Sequence, residues 1–399
     1  MDKINIAICG CGHRGLDIGL VAVKTQQAEI VAVCDPYFDK AESASTAILN
    51  EQGTKPLTYS DHIKMLDEVK PTAIIVACSW ETHIQVAIDS MERGIVVGME
   101  VGGAYSEKEC WDLVDTYEKT KTPFMFLENV CFNKEELLAT NLIRKGVLGE
   151  MVYCYGAYGH DLREEIASGK KKRHYRLRNY VERNCENYPT HELGPICKML
   201  NINRGNRLTR LISNSSKAVG IKEYVNRFEE YKELHDVQFK QGDIFSTSIN
   251  CENGELIEIK LDTCTPRISG RDEVYVGTKG RYVVNNNMLL LDGKISSKDY
   301  KTYIENDKEY YDYLPEIWKN VTEEILKAGH GGMDYFEMLE FIRCIKTGDE
   351  MPIDVYDAAT WMSISYLSEI SIKENRFVYI PDFTRGKYKT RKTKDVVKF

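Results

Sequence analysis

Long apolar runs are missing from this 399-residue chain: none approaches the roughly 18–20 positions needed to cross a bilayer, which excludes a membrane-spanning helix. The opening MDKINIAIC lacks the basic and apolar stretches of a secretory signal, so a cytoplasmic location is expected. Paired Cys-x-x-Cys clusters are absent as well. The 12 cysteines stand singly in apolar contexts such as Cys34, Cys78, Cys110 and Cys344, with Cys9 and Cys11 inside a glycine loop. A chain of this size needs no disulfides, so free thiols packed as small hydrophobes are expected, with no bound metal. Positive charge is not in excess either. With 53 Lys and Arg against 61 Asp and Glu, the net charge of −8 argues against nucleic acid, because phosphate binding needs a positive surface. Repeats and low-complexity linkers are not found.

What is present reads as an ordinary globular composition, 43% hydrophobic and 29% charged, at a length that suggests two domains. The first 130 residues alternate short apolar runs with amphipathic ones. Strands are predicted at 4–9, 29–35, 73–78, 95–100 and 123–129, and helices at 14–26, 39–52 and from Trp80 to Gly94. Apolar strands separated by helices indicate a parallel, doubly wound sheet. Past residue 131 a helix (134–144) is followed mainly by strands, including a hairpin around Asn253-Gly254. The expected fold is α/β: a dinucleotide-binding domain over 1–130, then an α+β domain over 131–384 on an open, mainly antiparallel sheet. Asp354 caps a predicted helix at 354–374, with Val355, Ala358, Ala359, Met362, Tyr366 and Ile370 on one face, and this helix can pack back on the first domain. The basic tail, 385–399, is expected to be a solvated extension.

Gly10-x-Gly12-x-x-Gly15 directly follows the first strand and opens a helix, the context in which that spacing signals a Rossmann domain. Such glycines let backbone approach a pyrophosphate at the helix N-terminus. Asp35, twenty positions after Gly15, ends the second strand; a carboxylate there accepts from a ribose 2′-hydroxyl and repels a 2′-phosphate, which selects NAD. A structural turn with Asp35 as a helix cap is the alternative. Trp80, His83, Glu100 and Asn129 sit at or just beyond the carboxyl ends of later strands, where open α/β sheets bind ligands. This arrangement resembles the glucose–fructose oxidoreductase and inositol dehydrogenase family, whose members carry Glu-Lys-Pro where this chain has Glu100-Val101-Gly102. The lysine that helps deprotonate a substrate hydroxyl in those dehydrogenases is missing.

The segment NYPTHELGP (187–195) bears on that gap. Pro189 biases Tyr188 towards extended geometry, Thr190 can cap a helix, and His191 would then lie on its first turn, where a partial positive charge favours neutral imidazole. A histidine satisfied in a loop is the bland alternative. HYRLRNYVERNCENYPTHELGPICKMLNINRGNR, GAYGHDLRE (156–164) and GGMDYFEMLEFIRCI…DVYDAATW (331–361) resemble glycoside hydrolase family 109, the NAD-dependent glycosidase branch of the same superfamily, which also has Val in place of the lysine. The resemblance implies that His13, Arg14, Asp35, Trp80, His83, Glu100, Val101 and Asn129 contact NAD. It implies that Tyr158, Arg176, Tyr188, Pro189, Thr190 and His191 bind a sugar, with His191, Tyr188 and Tyr158 catalytic. The implied reaction is oxidation at C3 with His191 or Tyr188 as base, elimination across C1–C2 with Tyr158 as phenolate or hydrogen-bonded base, water addition, and reduction at C3. Its implied substrate is an N-acetylgalactosaminide or related glycoside, and homo-oligomers are expected. A net sugar dehydrogenase or a non-catalytic NAD- or sugar-binding protein are the competing readings. Three departures stand out: Glu192 for the family's Gly, Ser269 near an expected Tyr, and Gly102 for Pro. The basic run KKKRHYRLRNYVER (170–183) is expected to be a mobile loop over the sugar with Arg176 pointing inward.

Overall fold

The computed structural model describes residues 3–294 and 312–399. Its first sheet is fully parallel, in the order β3-β2-β1-β4-β5-β6, with β1 Ile4–Cys9, β2 Ala28–Cys34, β3 Leu57–Tyr59, β4 Ala73–Val76, β5 Val96–Glu100 and β6 Phe124–Leu127. β1 and β4–β6 are buried along nearly their whole length because helices cover both faces, which is why they read as continuous apolar runs. Chain order reverses at β1, between β2 and β4, and the glycine loop leaves the sheet at that crevice.

Three elements of this half were not expected. β3 is only LTY, too short for a periodic signal, and the His62–Val69 helix spans eight residues. The Glu107–Thr120 helix opens with a reciprocal Ser106/Glu109 capping box, a signal that is present in the sequence.

The second sheet has the order β13-β12-β11-β7-β10-β9-β8-β14. Its strands are β7 Met151–Gly159, β8 Leu208–Ser215, β9 Ile244–Cys251, β10 Leu256–Asp262, β11 Val274–Gly277, β12 Gly280–Val283, β13 Met288–Leu291 and β14 Val378–Tyr379. Only the β7–β10 pair is parallel, so the sheet is mixed and mainly antiparallel, as expected. Asn253-Gly254 turns the β9–β10 hairpin, with Gly254 at φ +104°. The Thr190–Met199 helix packs on β7, where Gly156 leaves room for Glu192 and Ile196.

The Val355–Glu374 helix begins at an Asp354/Asp357 capping box. Its expected single apolar face is corrected: residues 355–368 are buried all round, because the helix lies between the Glu107–Thr120 helix and β8. Small hydroxyl side chains make that burial tolerable by satisfying the backbone they meet. Ser365 donates to the Glu186 carbonyl at 2.8 Å, while the Glu186 and Ser213 amides donate to Ser368 and Ser371 at 2.9 and 3.0 Å. The tail is corrected as well. Arg385 pairs with Asp115 and Glu118, Tyr388 donates to Glu252 at 2.7 Å, Arg391 pairs with Asp354, and Asp395 accepts from Arg144 at 2.9 Å. Its cations follow acidic groups on both halves, and Val396 is buried. Among the described residues no helix is long and apolar enough to cross a membrane.

Candidate active site

The three glycines of the loop do different things. A Cβ at Gly10 (φ +97°) would stand 2.4 Å from the Ala77 carbonyl oxygen, and one at Gly15 would lie 1.9 Å from the Gly10 oxygen. Both are demanded by the protein's own packing. A Cβ at Gly12 would meet nothing within 4 Å; this residue caps the His13–Lys24 helix, so the open space lies where an anionic ligand would sit on helix amides. Asp35 is oriented by two backbone donors, Cys11 and Tyr37, each at 2.9 Å, and keeps acceptor capacity for a ribose hydroxyl.

Beyond β4, Trp80 and His83 are buried side by side over Gly102, whose added Cβ would come 2.5 Å from Trp80 Cδ1 and 2.6 Å from His83 Cε1. That accounts physically for glycine at a position where the resemblance leads one to expect proline. His83 Nε2 has no protein partner, and burial pulls the imidazole down to about 4, so it is neutral. An orphaned buried nitrogen, an oriented acidic group and an unfilled glycine cradle fit a bound NAD. Val101 is buried in the adjoining segment.

Arg14 is held by Glu100 at 2.9 Å and Asp334 at 2.7 Å, and Asn129 donates to Asp334 at 2.7 Å. His330 completes the network, its Nδ1 2.8 Å from Asp334 Oδ2. Burial alone would raise the Asp334 pKa; the hydrogen bond from His330 and the Arg14 charge outweigh it and hold the carboxylate well below its usual range. His13 is not part of this network: its side chain is 92% exposed and pairs with Asp17 at 2.6 Å. Asp334 and His330 were not foreseen as site residues, although Asp334 lies within GGMDYFEMLEFIRCI and His330 directly precedes it.

The substrate side is an aromatic cluster around the His191 imidazole, with the His160 ring also stacked on Tyr158 at 6.1 Å. Tyr158, Tyr188 and His191 are mutual neighbours, with centroid distances of 4.8 Å (Tyr158–Tyr188), 4.8 Å (Tyr188–His191) and 5.4 Å (Tyr158–His191). Trp80 stacks on Tyr188 at 5.3 Å, which joins this cluster to the cofactor edge. Arg176 is buried above both rings, 5.0 Å from the Trp80 centroid and 4.8 Å from that of Tyr188. Its Nε lies 2.8 Å from Glu165 Oε1, but the angles do not make a hydrogen bond, and Nε and Nη1 are left without acceptors. Nη1, which has no carboxylate beside it, is the donor open to an uncharged polar ligand.

His191 Nδ1 lies 2.6 Å from Glu128 Oε1. A carboxylate only accepts, so Nδ1 carries a proton, and in the neutral imidazole Nε2 is the acceptor that remains. Glu128 is fully buried at the end of β6 and also accepts from the Val130 amide at 3.2 Å. It was missed, although the strand-end argument that selected Asn129 applies to its neighbour equally. Gly194 faces it from the helix: a Cβ there would come 2.9 Å from Glu128 Cγ.

Several expectations change. Thr190 is the first helical residue, with Pro189 at the cap position, and its buried Oγ1 has no partner; it does not cap the helix. Burial pushes the Tyr158 phenol up to about 12 against the pull of Arg176, so the resting site holds a neutral phenol, not a phenolate. The run 170–183 is not all loop, since Arg176–Glu182 is helical, although Arg176 does point inward. Glu192 is buried with neither oxygen hydrogen-bonded, and Ser269 is exposed.

The chain matches two family profiles: residues 4–127 match an oxidoreductase family NAD-binding Rossmann fold, and residues 132–390 match a glycosyl hydrolase 109 C-terminal domain. A glycosyl hydrolase family 109 protein of Stenotrophomonas maltophilia is 34% identical over 418 residues, covering 98% of this chain and 91% of the relative. Glycosyl hydrolase family 109 protein 1 of Akkermansia muciniphila is 35% identical over 406 residues, covering 98% and 84%. Among solved structures, levoglucosan dehydrogenase in complex with NADH and levoglucosan superposes at TM-score 0.73 and 16% identity, covering 95% of this chain and 100% of that one. Myo-inositol 2-dehydrogenase from Lactobacillus plantarum does so at 0.66 and 14%, covering 95% and 100%. These structural likenesses show the fold. With an NAD-binding Rossmann half, a second half that matches the glycosidase profile throughout, and relatives aligned nearly end to end, the chain belongs to glycosyl hydrolase family 109.

Proposed function

We propose that this protein hydrolyses a glycoside, an N-acetylgalactosaminide or a related sugar, with an NAD that is reused at each turnover. The observation that carries the reading is the joint at Trp80 and Tyr188, which brings an imidazole with a free Nε2 next to the cofactor edge while Val101 stands where dehydrogenases keep a lysine. NAD, when bound, would supply a hydride acceptor, and then a donor, for C3 of the sugar. His191 Nε2 takes the C3 hydroxyl proton as that carbon becomes a ketone, and Glu128 keeps the ring turned and stabilises the imidazolium. The ketone acidifies the C2 hydrogen. Tyr158 relays the proton: its phenol protonates the departing alcohol oxygen as the C1–O bond breaks and takes up the C2 proton in its place, so it ends the step neutral as it began. Water adds to C1, a proton returns to C2, and the imidazolium gives its proton back to the C3 oxygen when hydride returns. Atoms and electrons balance as net hydrolysis. The unpartnered Nη1 of Arg176 suits a sugar hydroxyl or acetamido oxygen.

The test is a panel of 4-nitrophenyl glycosides read for nitrophenol and NADH together. Nitrophenol released without net NADH supports the reading; NADH formed in step with substrate consumed would make the protein a sugar dehydrogenase instead.

A further inference from the structure

The basic run at 170–176 has a second task that the substrate site does not absorb. Arg173 reaches across to the first domain and clasps Asp39 with both nitrogens, at 3.0 and 2.6 Å. Its guanidinium also lies 4.4 Å from the Tyr37 ring centroid. In return, Lys40 Nζ donates to the carbonyl oxygens of Lys172 at 3.2 Å and Arg173 at 3.4 Å. The landing point is the first turn of the Phe38–Gln52 helix and its cap residue Tyr37, whose amide orients Asp35, the residue placed to accept from the adenosine ribose. Arg173 is held at φ +53°, an uncommon conformation for a side chain of its size. The strap does not dangle: the His174 amide donates to the Gly169 oxygen at 2.7 Å and the Lys172 amide to Ser168 at 2.9 Å. Three residues after Arg173, Arg176 covers Trp80 and Tyr188. One short segment therefore touches the helix start at the ribose end and the aromatic joint at the reacting end.

We infer that this segment is a strap that retains NAD, with Arg173 as the positioning residue that fastens it through Asp39 and Tyr37. The inference rests on the recycled-cofactor reading, and it supplies what that reading requires: a dinucleotide reused at every turnover gains from slow release. The fastening is exposed, so each contact is weak and screened by salt, and the effect belongs in the release rate.

The experiment measures NAD retained by the full-length protein over time after transfer into NAD-free buffer, by enzymatic cycling of heat-released dinucleotide. Arg173→Ala and Asp39→Ala should each release NAD about five- to tenfold faster than the parent. The charge swap Arg173→Asp with Asp39→Arg should recover most of the loss, and high salt should bring the parent to the Arg173→Ala rate. Lys171→Ala, which removes an equal charge from the exposed neighbouring position, should behave as the parent. A parent that retains NAD while Arg173→Ala retains it equally well would overturn the strap and leave the recycled-cofactor reading standing. A parent that loses its NAD during the transfer itself would sink that reading, and the strap with it.

Discussion

Replacing Glu128 with Gln tests the imidazole's orientation at almost constant shape. The carboxylate accepts a 2.6 Å hydrogen bond from His191 Nδ1–H and has no solvent contact. A hydrogen bond to a charged partner in such a place is worth about 1.5–3 kcal/mol. The amide can also present its NH₂ to Nδ1, which would move the ring proton to Nε2 and leave no acceptor for the sugar hydroxyl. At about 1.4 kcal/mol per factor of ten, the expected fall in kcat is about 10- to 150-fold. KM should change little if Glu128 acts through His191, because the carboxylate is fully buried behind that ring's Nδ1. Bound NAD should be retained, since the residues proposed to hold it are untouched. The assay is steady-state hydrolysis of the best 4-nitrophenyl glycoside, with the NAD content of each preparation measured in parallel. If Glu128→Gln keeps kcat within twofold at full NAD occupancy, the pair does not orient a catalytic base, and His191 loses its assigned role.

His191→Ala should abolish turnover while NAD binding persists; normal activity in that variant would show the base to be elsewhere. Gly102→Ala forces Trp80 and His83 apart from contacts of 2.5 and 2.6 Å, and should weaken NAD binding, read by tryptophan fluorescence, with a stability loss of about 1–3 kcal/mol. Glu192 is raised well above the ordinary carboxylate range, first by burial and then by Glu186, which burial itself pushes up to about 8. Because these folded-state values are raised, the stability they lend is complete below the unfolded pKa and fades as pH climbs towards the folded one. Glu192→Gln should therefore gain in melting temperature over the parent as pH rises from about 5 to about 8; a constant difference across that range would show that the carboxyl is not protonated in the fold.

Local signals in the sequence carried the nucleotide half and one face of the substrate half. The Gly10-x-Gly12-x-x-Gly15 loop, Asp35 and the apolar runs are all set by neighbours in the chain, and NYPTHELGP already contained the Tyr188 and His191 that meet Tyr158. What escaped was long-range. Glu128 lies 63 residues from His191, and Asp334 lies 320 from Arg14, so no window holds both partners. The same holds for the tail, where a basic composition reads as solvated until Asp115, Glu118 and Asp354 are found beneath it. The Val355–Glu374 helix misled for another reason: its serines look like a polar face, yet they are buried against backbone that needs their hydroxyls. Tyr158 does neighbour Tyr188 and His191, but its ionisation depends on burial, which no motif reports.

Incorporation of solvent deuterium at C2 of the released sugar, measured by mass spectrometry after hydrolysis in D₂O, bears most directly on the proposed chemistry. Elimination and re-addition predict deuterium at that carbon in product formed without net NADH. Product with an unexchanged C2 hydrogen would mean direct displacement at C1, and the reaction proposed around His191 and Glu128 would be wrong.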